Sequence, residues 1–595
     1  MALNVIKRAA AAVAIASASV AAAPATAQST QTASPPNVVV ILTDDQGWGD
    51  LSINGNANLD TGHLDSLARD GARFERFYVQ PVCSPTRAEF LTGRYHVRGG
   101  VHDTSRGGER LDADERTIAQ VFKSGGYATG AFGKWHNGTQ GPYHPNARGF
   151  DEFYGFTSGH WGDYFSPPLD HNGRIVQGNG FMADDFAQRA MKFVEQNKDR
   201  PFFVYLPFNT PHTPAQVPDA FYKKFADPQN PKLDAKTRAV YAMCENIDWN
   251  VRRVLGQLQQ LNLSERTIVA HFHDNGPNGA RWNGGMKGIK GSTDEGGVRS
   301  PLHVRWPGRI KPGTRVEPVA GAIDLLPTLA DLAGVKIAGG KPLDGVSLKP
   351  LLLDGAAAKD WPARVIYNCW NGKVSARTDT HRLDAAGRLY DMRTDPGQTR
   401  DVAGEQPEVA QQMRSGVAGW KKNVLSELGR DDRPFPVGAG PLAATQLPAR
   451  DGVPHGHIQR SGSAPNCSFF RNWVRPQDTI TWDVDVVAAG RYEASIHYAC
   501  AKADVGAAIE LSLNGVSVKA RVTDAHDPPL RGMEHDRAPR GSESYVKDFG
   551  TMSLGTLDLR AGRGELTLSA LAKPGNQVME VRMIVLTRVE PADRR

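Results

Sequence analysis

Asn37 to Thr43 reads Asn-Val-Val-Val-Ile-Leu-Thr and runs directly into Asp44-Asp45. An unbroken β-branched run of this length is a strand buried on both faces, and that environment belongs to a parallel sheet covered by helices. Comparable runs recur at 127–132, 201–206 and 267–272. Helical patterns lie between them. Residues 183–197 put Phe186, Ala190 and Phe193-Val194 on one face, and 236–261 carry Val240, Met243, Ile247, Val251 and Val254-Leu255 at helical intervals. The alternation predicts an α/β domain, a mostly parallel sheet sandwiched by helices. Ligands in such sheets bind at the carboxyl ends of the strands. Asp44-Asp45 and Asp274-Asn275 each follow a predicted strand, so both pairs are expected at one edge.

At 595 residues the chain exceeds a single core. The α/β unit is expected over 36–350 and a small C-terminal subdomain over 351–430, where Arg388-Leu389-Tyr390-Asp391-Met392 leads into Asp395-Pro396-Gly397. Residues 431–457, rich in Pro, Gly and Ala, read as a linker. Beyond them the pattern changes to period two, at 479–486, 492–498 and 508–513, with further strands at 564–571 and 578–586 and turns at Gly490 and Asn514-Gly515. That predicts an all-β sandwich over 458–595, of a kind similar to carbohydrate-binding modules; a sandwich that only packs on the catalytic unit is the equal alternative.

Lys7-Arg8 precede an Ala/Val-rich stretch, and Ala25-Thr26-Ala27 offers a small-x-small cleavage site. This is the layout of a secretory signal peptide over 1–27, predicting export to a periplasmic or extracellular space, with no transmembrane segment left after cleavage. In an oxidising compartment an odd number of cysteines leaves one unpaired. Of Cys83, Cys244, Cys369, Cys467 and Cys500, Cys83 is the odd one, Cys467 and Cys500 are placed to bridge, and Cys244 sits in a helical pattern. With 70 basic and 64 acidic residues there is no nucleic-acid footprint.

Asp44, Asp45, Asp274 and Asn275 are hard oxygen donors with no Cys-x-x-Cys spacing nearby, a set suited to Ca²⁺ or Mg²⁺ rather than zinc. Cys83-Ser84-Pro85-Thr86-Arg87 stands downstream of the first pair. It is followed in order by Leu91-Thr92-Gly93-Arg94, Gly133-Lys134-Trp135-His136, Asp274-Asn275-Gly276, Lys290-Gly291 and Glu295-Gly296-Gly297. Over residues 36–430 this ordered set resembles the type I, formylglycine-dependent sulfatases of the alkaline phosphatase superfamily.

The resemblance implies a sulfuric ester hydrolase in which a formylglycine-generating enzyme converts Cys83 to 3-oxoalanine. Cys83 so modified would join Asp44, Asp45, Asp274 and Asn275 at the metal, and Arg87 would pin it there. Lys134 and Lys290 match the sulfate-binding lysines, His136 the residue at the formylglycine hydroxyls, and His212 the histidine near the leaving-group oxygen. Asn137 after His136 and His273 before Asp274 depart from the pattern; His273 reads as a strand side chain, with a supporting role at the metal as the alternative. His102, His144 and His160 read as solvent-facing or structural, though one of them, Trp161 or Asp163 is a candidate pocket wall. The sandwich tips the expected substrate toward a sulfated glycan. The competing readings are a phosphonate or phosphodiester hydrolase of the same superfamily and a non-catalytic sulfated-glycan-binding protein.

Overall fold

The computed structural model describes residues 34–226, 233–354 and 360–589. The expected signal peptide lies outside them. The chain from Pro35 onward forms one compact unit. Its centre is a ten-stranded sheet. Four core strands are β1 (Asn37–Thr43), β2 (Ala128–Lys134), β3 (Phe202–Pro207) and β4 (Thr267–His273). β1 pairs in parallel with β4 on one side and β3 on the other, and β3 pairs in parallel with β2. Glu152–Phe156 continues the parallel run beyond β2. Antiparallel strands flank the run, with Leu302–Arg305 beside β4 and Pro168–His171 beside Glu152–Phe156.

The reason for the unbroken apolar run is visible in β1. Val38, Val40 and Leu42 belong to one buried cluster, and Val39 and Ile41 to another on the opposite face. The second cluster is closed by α3 (Met182–Gln196) and α4 (Ala235–Gln260), packed with α1 (Gly62–Arg69). On the first face lies α2 (Cys83–Thr92), all ten residues of it buried. The predicted strands and both predicted helices are present within a residue or two of their expected bounds.

The small subdomain is a four-stranded sheet of 366–391 with the helix Pro407–Asn423. Glu295 ties it to the α/β unit: its buried carboxylate accepts from Tyr78 at 2.8 Å, and lies 3.3 Å from Arg377 and 3.0 Å from Arg382. Burial alone would raise this carboxyl, but the two guanidiniums bring it down to about 2.

The C-terminal part is a sandwich of two six-stranded sheets around Trp473, Trp482 and a shell of aliphatics. Two long strands escaped the period-two reading, Val516–Arg521 and Gly550–Leu559. Two expectations need correction. The segment 431–457 is not a linker: Phe435–Val437 and Val453–Pro454 pair with Thr479–Val486, and Ala444–Pro448 pairs with Glu580–Arg588. Its prolines and glycines punctuate short strands, which is a composition shared with flexible connectors. Cys467 and Cys500 do not bridge; all five cysteines are free and buried. Cys500 packs in the sandwich core, whereas the Cys467 sulfur lies 3.2 Å from His160 Nε2.

Candidate active site

The register of β1 with β4 aligns Thr43 with His273, so the next residues of both strands leave the sheet together. Asp44, Asp45, Asp274 and Asn275 thereby meet at the carboxyl edge although their positions in the chain are far apart. Asp45 N–H donates to Asp274 Oδ1 at 3.1 Å, and Asn275 Nδ2 donates to Asp45 Oδ1 at 2.9 Å. Asp45 holds a left-handed backbone, φ 64°, as does His136, φ 66°. Non-glycine residues carry such strain where the surroundings enforce it. At Asp45 the enforcement includes Arg281, which donates to the Asp45 carbonyl at 2.9 Å while bound to Asp50 at 2.6 Å.

Cys83 opens α2, with its positive helix end at the same edge. Thr86 fastens the helix there: its hydroxyl donates to the Asp274 carbonyl at 2.6 Å and accepts from Gln80 N–H at 2.8 Å. Arg87, fully buried, reaches Asp274 Oδ2 at 2.8 Å and the Lys134 carbonyl at 2.8 Å, so it clamps the end of β2 to the carboxylates. Lys134 Nζ meets Asp44 at 2.6 Å. Lys290 Nζ meets Asp45 at 2.6 Å from a glycine-rich loop. That loop is anchored by Lys290 N–H on the Pro277 carbonyl and Gly291 N–H on the Pro81 carbonyl, just beyond Asn275 and just before Cys83.

Electrostatics follow from burial and these pairings. Burial would raise the Asp45 carboxyl, yet Lys290 and His212 hold it below the usual carboxylate range. Burial and the adjacent Asp44 push Asp274 up to about 7, against Arg87 and Lys134. Burial also raises the Cys83 thiol, so the unmodified side chain is a thiol rather than a thiolate at neutral pH. His136 is pushed well down by burial and Lys134. Its Nε2 lies 2.8 Å from the Thr104 carbonyl, which assigns the proton to Nε2 and leaves Nδ1, buried and unpartnered, as a lone-pair acceptor.

Three buried oxygens here have no hydrogen-bond partner among the described residues: Asp44 Oδ1, Asp45 Oδ2 and Asn275 Oδ1. Ligand atoms of Asp44, Cys83 and Asp274 lie within 4.8 Å of one another, and so do those of Asp44, Asp45 and His212. Orphaned hard oxygens this close fit the coordination sphere of one Ca²⁺ or Mg²⁺.

His212, in the loop after β3, places Nε2 3.5 Å from Asp45 Oδ2 and Nδ1 2.6 Å from the Thr213 carbonyl. Burial, with Lys290 and Lys134 and against the pull of Asp45, brings it down to about 3. Two neighbours were missed or misread from the sequence. His160, read as solvent-facing or structural, is buried rather than solvent-facing, and its ring stacks on His212 at 5.7 Å. Glu543 arrives from the β-sandwich, accepts from the Thr213 hydroxyl at 2.6 Å, lies 3.7 Å from His212 Nδ1, and keeps Oε2 unpartnered. Burial pushes it up to about 8. No sequence signal marks Glu543, since its role depends on how the 530–546 loop docks on residues 212–217. His102 and His144 pair with Asp431 and Asp170 away from the carboxylates, and His273 is buried against His271.

A site of this kind suits a tetrahedral anion held against a divalent cation by ammonium groups and a helix terminus. Comparison with known proteins agrees. Residues 36–335 match the sulfatase family, and residues 290–422 match the C-terminal part of N-sulphoglucosamine sulphohydrolase. The chain is 34% identical to human arylsulfatase A, over 64% of this chain and 87% of that one. It is 32% identical to N-acetylgalactosamine-6-sulfatase of Canis lupus familiaris, over 54% of this chain and 66% of the relative, so it spans about two-thirds of that relative's length. Among solved structures, Ps i-CgsB in complex with k-i-k-neocarrahexaose superposes with a TM-score of 0.61 at 31% identity, covering 66% of this chain and 93% of that one. The chain belongs to the sulfatase family of the alkaline phosphatase superfamily, a class of sulfuric ester hydrolases.

Proposed function

We propose that the protein hydrolyses sulfate esters of carbohydrates, releasing inorganic sulfate and an alcohol, with Cys83 matured to formylglycine. Asp44, Asp45, Asp274 and Asn275 would hold Ca²⁺, or Mg²⁺ in its place. The observation that carries this reading is the convergence on one sheet edge of Cys83, two lysines and buried oxygens without partners. A sugar ester is favoured by the relatives: one is named for N-acetylgalactosamine and another was solved with a neocarrahexaose. Export with cleavage after Ala27 fits extracellular glycans as substrates.

Hydrated formylglycine and a cation held there would together supply a hydroxyl to attack sulfur, a second hydroxyl to let sulfate leave, and a clamp on one sulfate oxygen. Lys134 and Lys290, already at the carboxylates, share their remaining donors with the equatorial sulfate oxygens as charge builds there. The free Nδ1 of His136 is the acceptor for the proton released when sulfate departs. His212 is oriented by the Thr213 carbonyl so that Nε2 faces the site, and the anionic substrate raises its affinity for the proton it gives to the leaving oxygen.

The test is the mass of the tryptic peptide containing Cys83, from protein made in its own host, beside turnover of 4-nitrophenyl sulfate and a matched aryl phosphonate. Aldehyde at position 83 with faster sulfate release is expected. A plain thiol with saturable glycan binding and no turnover would favour the non-catalytic reading. Faster phosphonate cleavage would favour the superfamily alternative.

A further inference from the structure

A cavity of about 450 Å³ lies between the α/β unit and the sandwich, within the size range of small-ligand sites. Trp161 and Ser158 line it from one side; Phe549, His497, Thr551 and Arg582 line it from the other. The family matches end at residue 422, so this second wall belongs to the sandwich alone.

Its cations differ in how they are satisfied. Lys547 pairs with Glu580 at 2.8 Å, Arg531 with Asp548 at 2.6 Å, and Arg450 with Asp451 at 3.1 Å. Arg582 has no acidic partner at ion-pair distance among the described residues. Its guanidinium donates to the Ser468 carbonyl at 2.7 Å and lies 5.6 Å from the Trp161 ring centre. Beside it, the His497 ring lies 3.5 Å from the Thr551 hydroxyl, its one side-chain hydrogen bond among the described residues. Burial, with Arg582 adjacent, pushes His497 down to about 4, so it faces the cavity as a neutral hydrogen-bonding group. Arg582 is half-buried where it lines the cavity, and a guanidinium there without a carboxylate is free to make a charge-assisted contact with an anionic ligand group.

The cavity is one short loop away from the catalytic site. Ser158 and Trp161 face it, and Gly159 between them packs on a residue of the catalytic site: a Cβ built there would lie 2.6 Å from His136 Nε2, the ring nitrogen held by the Thr104 carbonyl. Asn466, from the sandwich, joins the two spaces by accepting from Gly159 N–H at 3.2 Å while also lining the cavity.

We infer that this cavity is a binding subsite for a non-reacting, anionic sugar unit of the substrate glycan, its sulfate or carboxylate on Arg582 and its ring between Trp161 and Phe549. The inference rests on the carbohydrate-ester reading above. Specificity for a long substrate is thereby divided between two parts of the chain: the family domain holds the ester to be cleaved, and the sandwich holds its neighbour.

The experiment measures, by calorimetry on full-length Cys83→Ala protein, binding of carrageenan, heparin and chondroitin 6-sulfate hexasaccharides, each beside its desulfated form. Tight binding of at least one is expected. Arg582→Met should weaken it about tenfold or more, and Arg582→Lys should restore most of it, as expected for a charge-assisted contact. The carrageenan hexasaccharide carries sulfate without carboxylate and desulfated chondroitin the reverse, so their Arg582-dependence identifies the anion. Unchanged affinity in Arg582→Met overturns the proposal. Should a melting curve show Arg582→Met unfolded, His497→Gln replaces it in the same titrations, and unchanged affinity there overturns the proposal equally. Turnover of 4-nitrophenyl sulfate by the wild-type enzyme with no hexasaccharide bound sinks the subsite and spares the sulfatase reading. Arg582-dependent binding without turnover does the opposite.

Discussion

At Cys83 three local facts meet: the residue opens α2, it is buried, and its thiol is pushed up rather than activated. A chain relying on the thiol itself as nucleophile would need the opposite shift. Cys83→Ala should therefore abolish aryl-sulfate turnover while the melting temperature stays within a few degrees of wild type, checked by steady-state assay and calorimetry; retained turnover would remove formylglycine from the mechanism. Glu543 makes a second case. On the proposed mechanism its contact with Thr213, whose carbonyl is bonded to His212, would make it a positioning residue for the leaving-group side of the site. Glu543→Ala should lower kcat about tenfold on alkyl sulfates and much less on activated aryl sulfates, since only the former need a proton on departure. Equal losses on both would assign Glu543 to structure alone. Cys83 was legible in the sequence because its neighbours in the chain are its motif. Glu543 and His160 were not, because their partners lie far away in the chain.

Among the elements, α1 shows how tertiary contacts replace local signals. Its N-cap Thr61 makes no capping bond, and the free N–H groups of His63 and Leu64 are taken instead by Asp248 of α4, at 2.8 and 2.7 Å. Burial pushes Asp248 up to about 7 despite those two bonds. A carboxyl raised in the folded state binds its proton more tightly there than in the unfolded chain, so its contribution is full below the unfolded value of about 4 and falls away as pH rises toward 7. Asp248→Asn keeps an acceptor for both N–H groups and removes the charge. Thermal melts of mutant and wild type from pH 4 to 8 should show the mutant gaining relative stability as pH rises; a constant difference would contradict the assignment. Neither this helix nor its cap was picked out from the sequence: the helix is only eight residues long and the capping side chain comes from a different helix.

For the molecule as a whole, the sandwich is part of the active-site wall. Gln216 donates to the Gly532 carbonyl at 2.8 Å and to Asp536 at 2.9 Å, and Arg540 donates to the Gly162 carbonyl at 2.6 Å. Ala538 packs into the same cluster as Ala215, Val217 and Tyr241. A chain ended at residue 430 would expose that cluster and lose Glu543, so it should aggregate on expression or, where soluble, melt lower and bind substrate more weakly. Light scattering and KM on aryl sulfate measure both, and an unchanged KM in a soluble truncate would make the sandwich an accessory. By itself the sequence determined what is encoded in neighbouring residues: the buried parallel strands, the amphipathic helices, the Cys83–Arg87 motif of the family and the carboxylate pairs that follow strands. These are legible because periodicity and strand ends act over a few residues. Only the tertiary structure decided that residues 431–457 are strands, that five cysteines stay unpaired, and that a glutamate and an unpaired arginine of the sandwich face the catalytic unit. Those outcomes depend on which surfaces pack together, and the energy that chooses them is buried area and charge pairing between residues hundreds of positions apart.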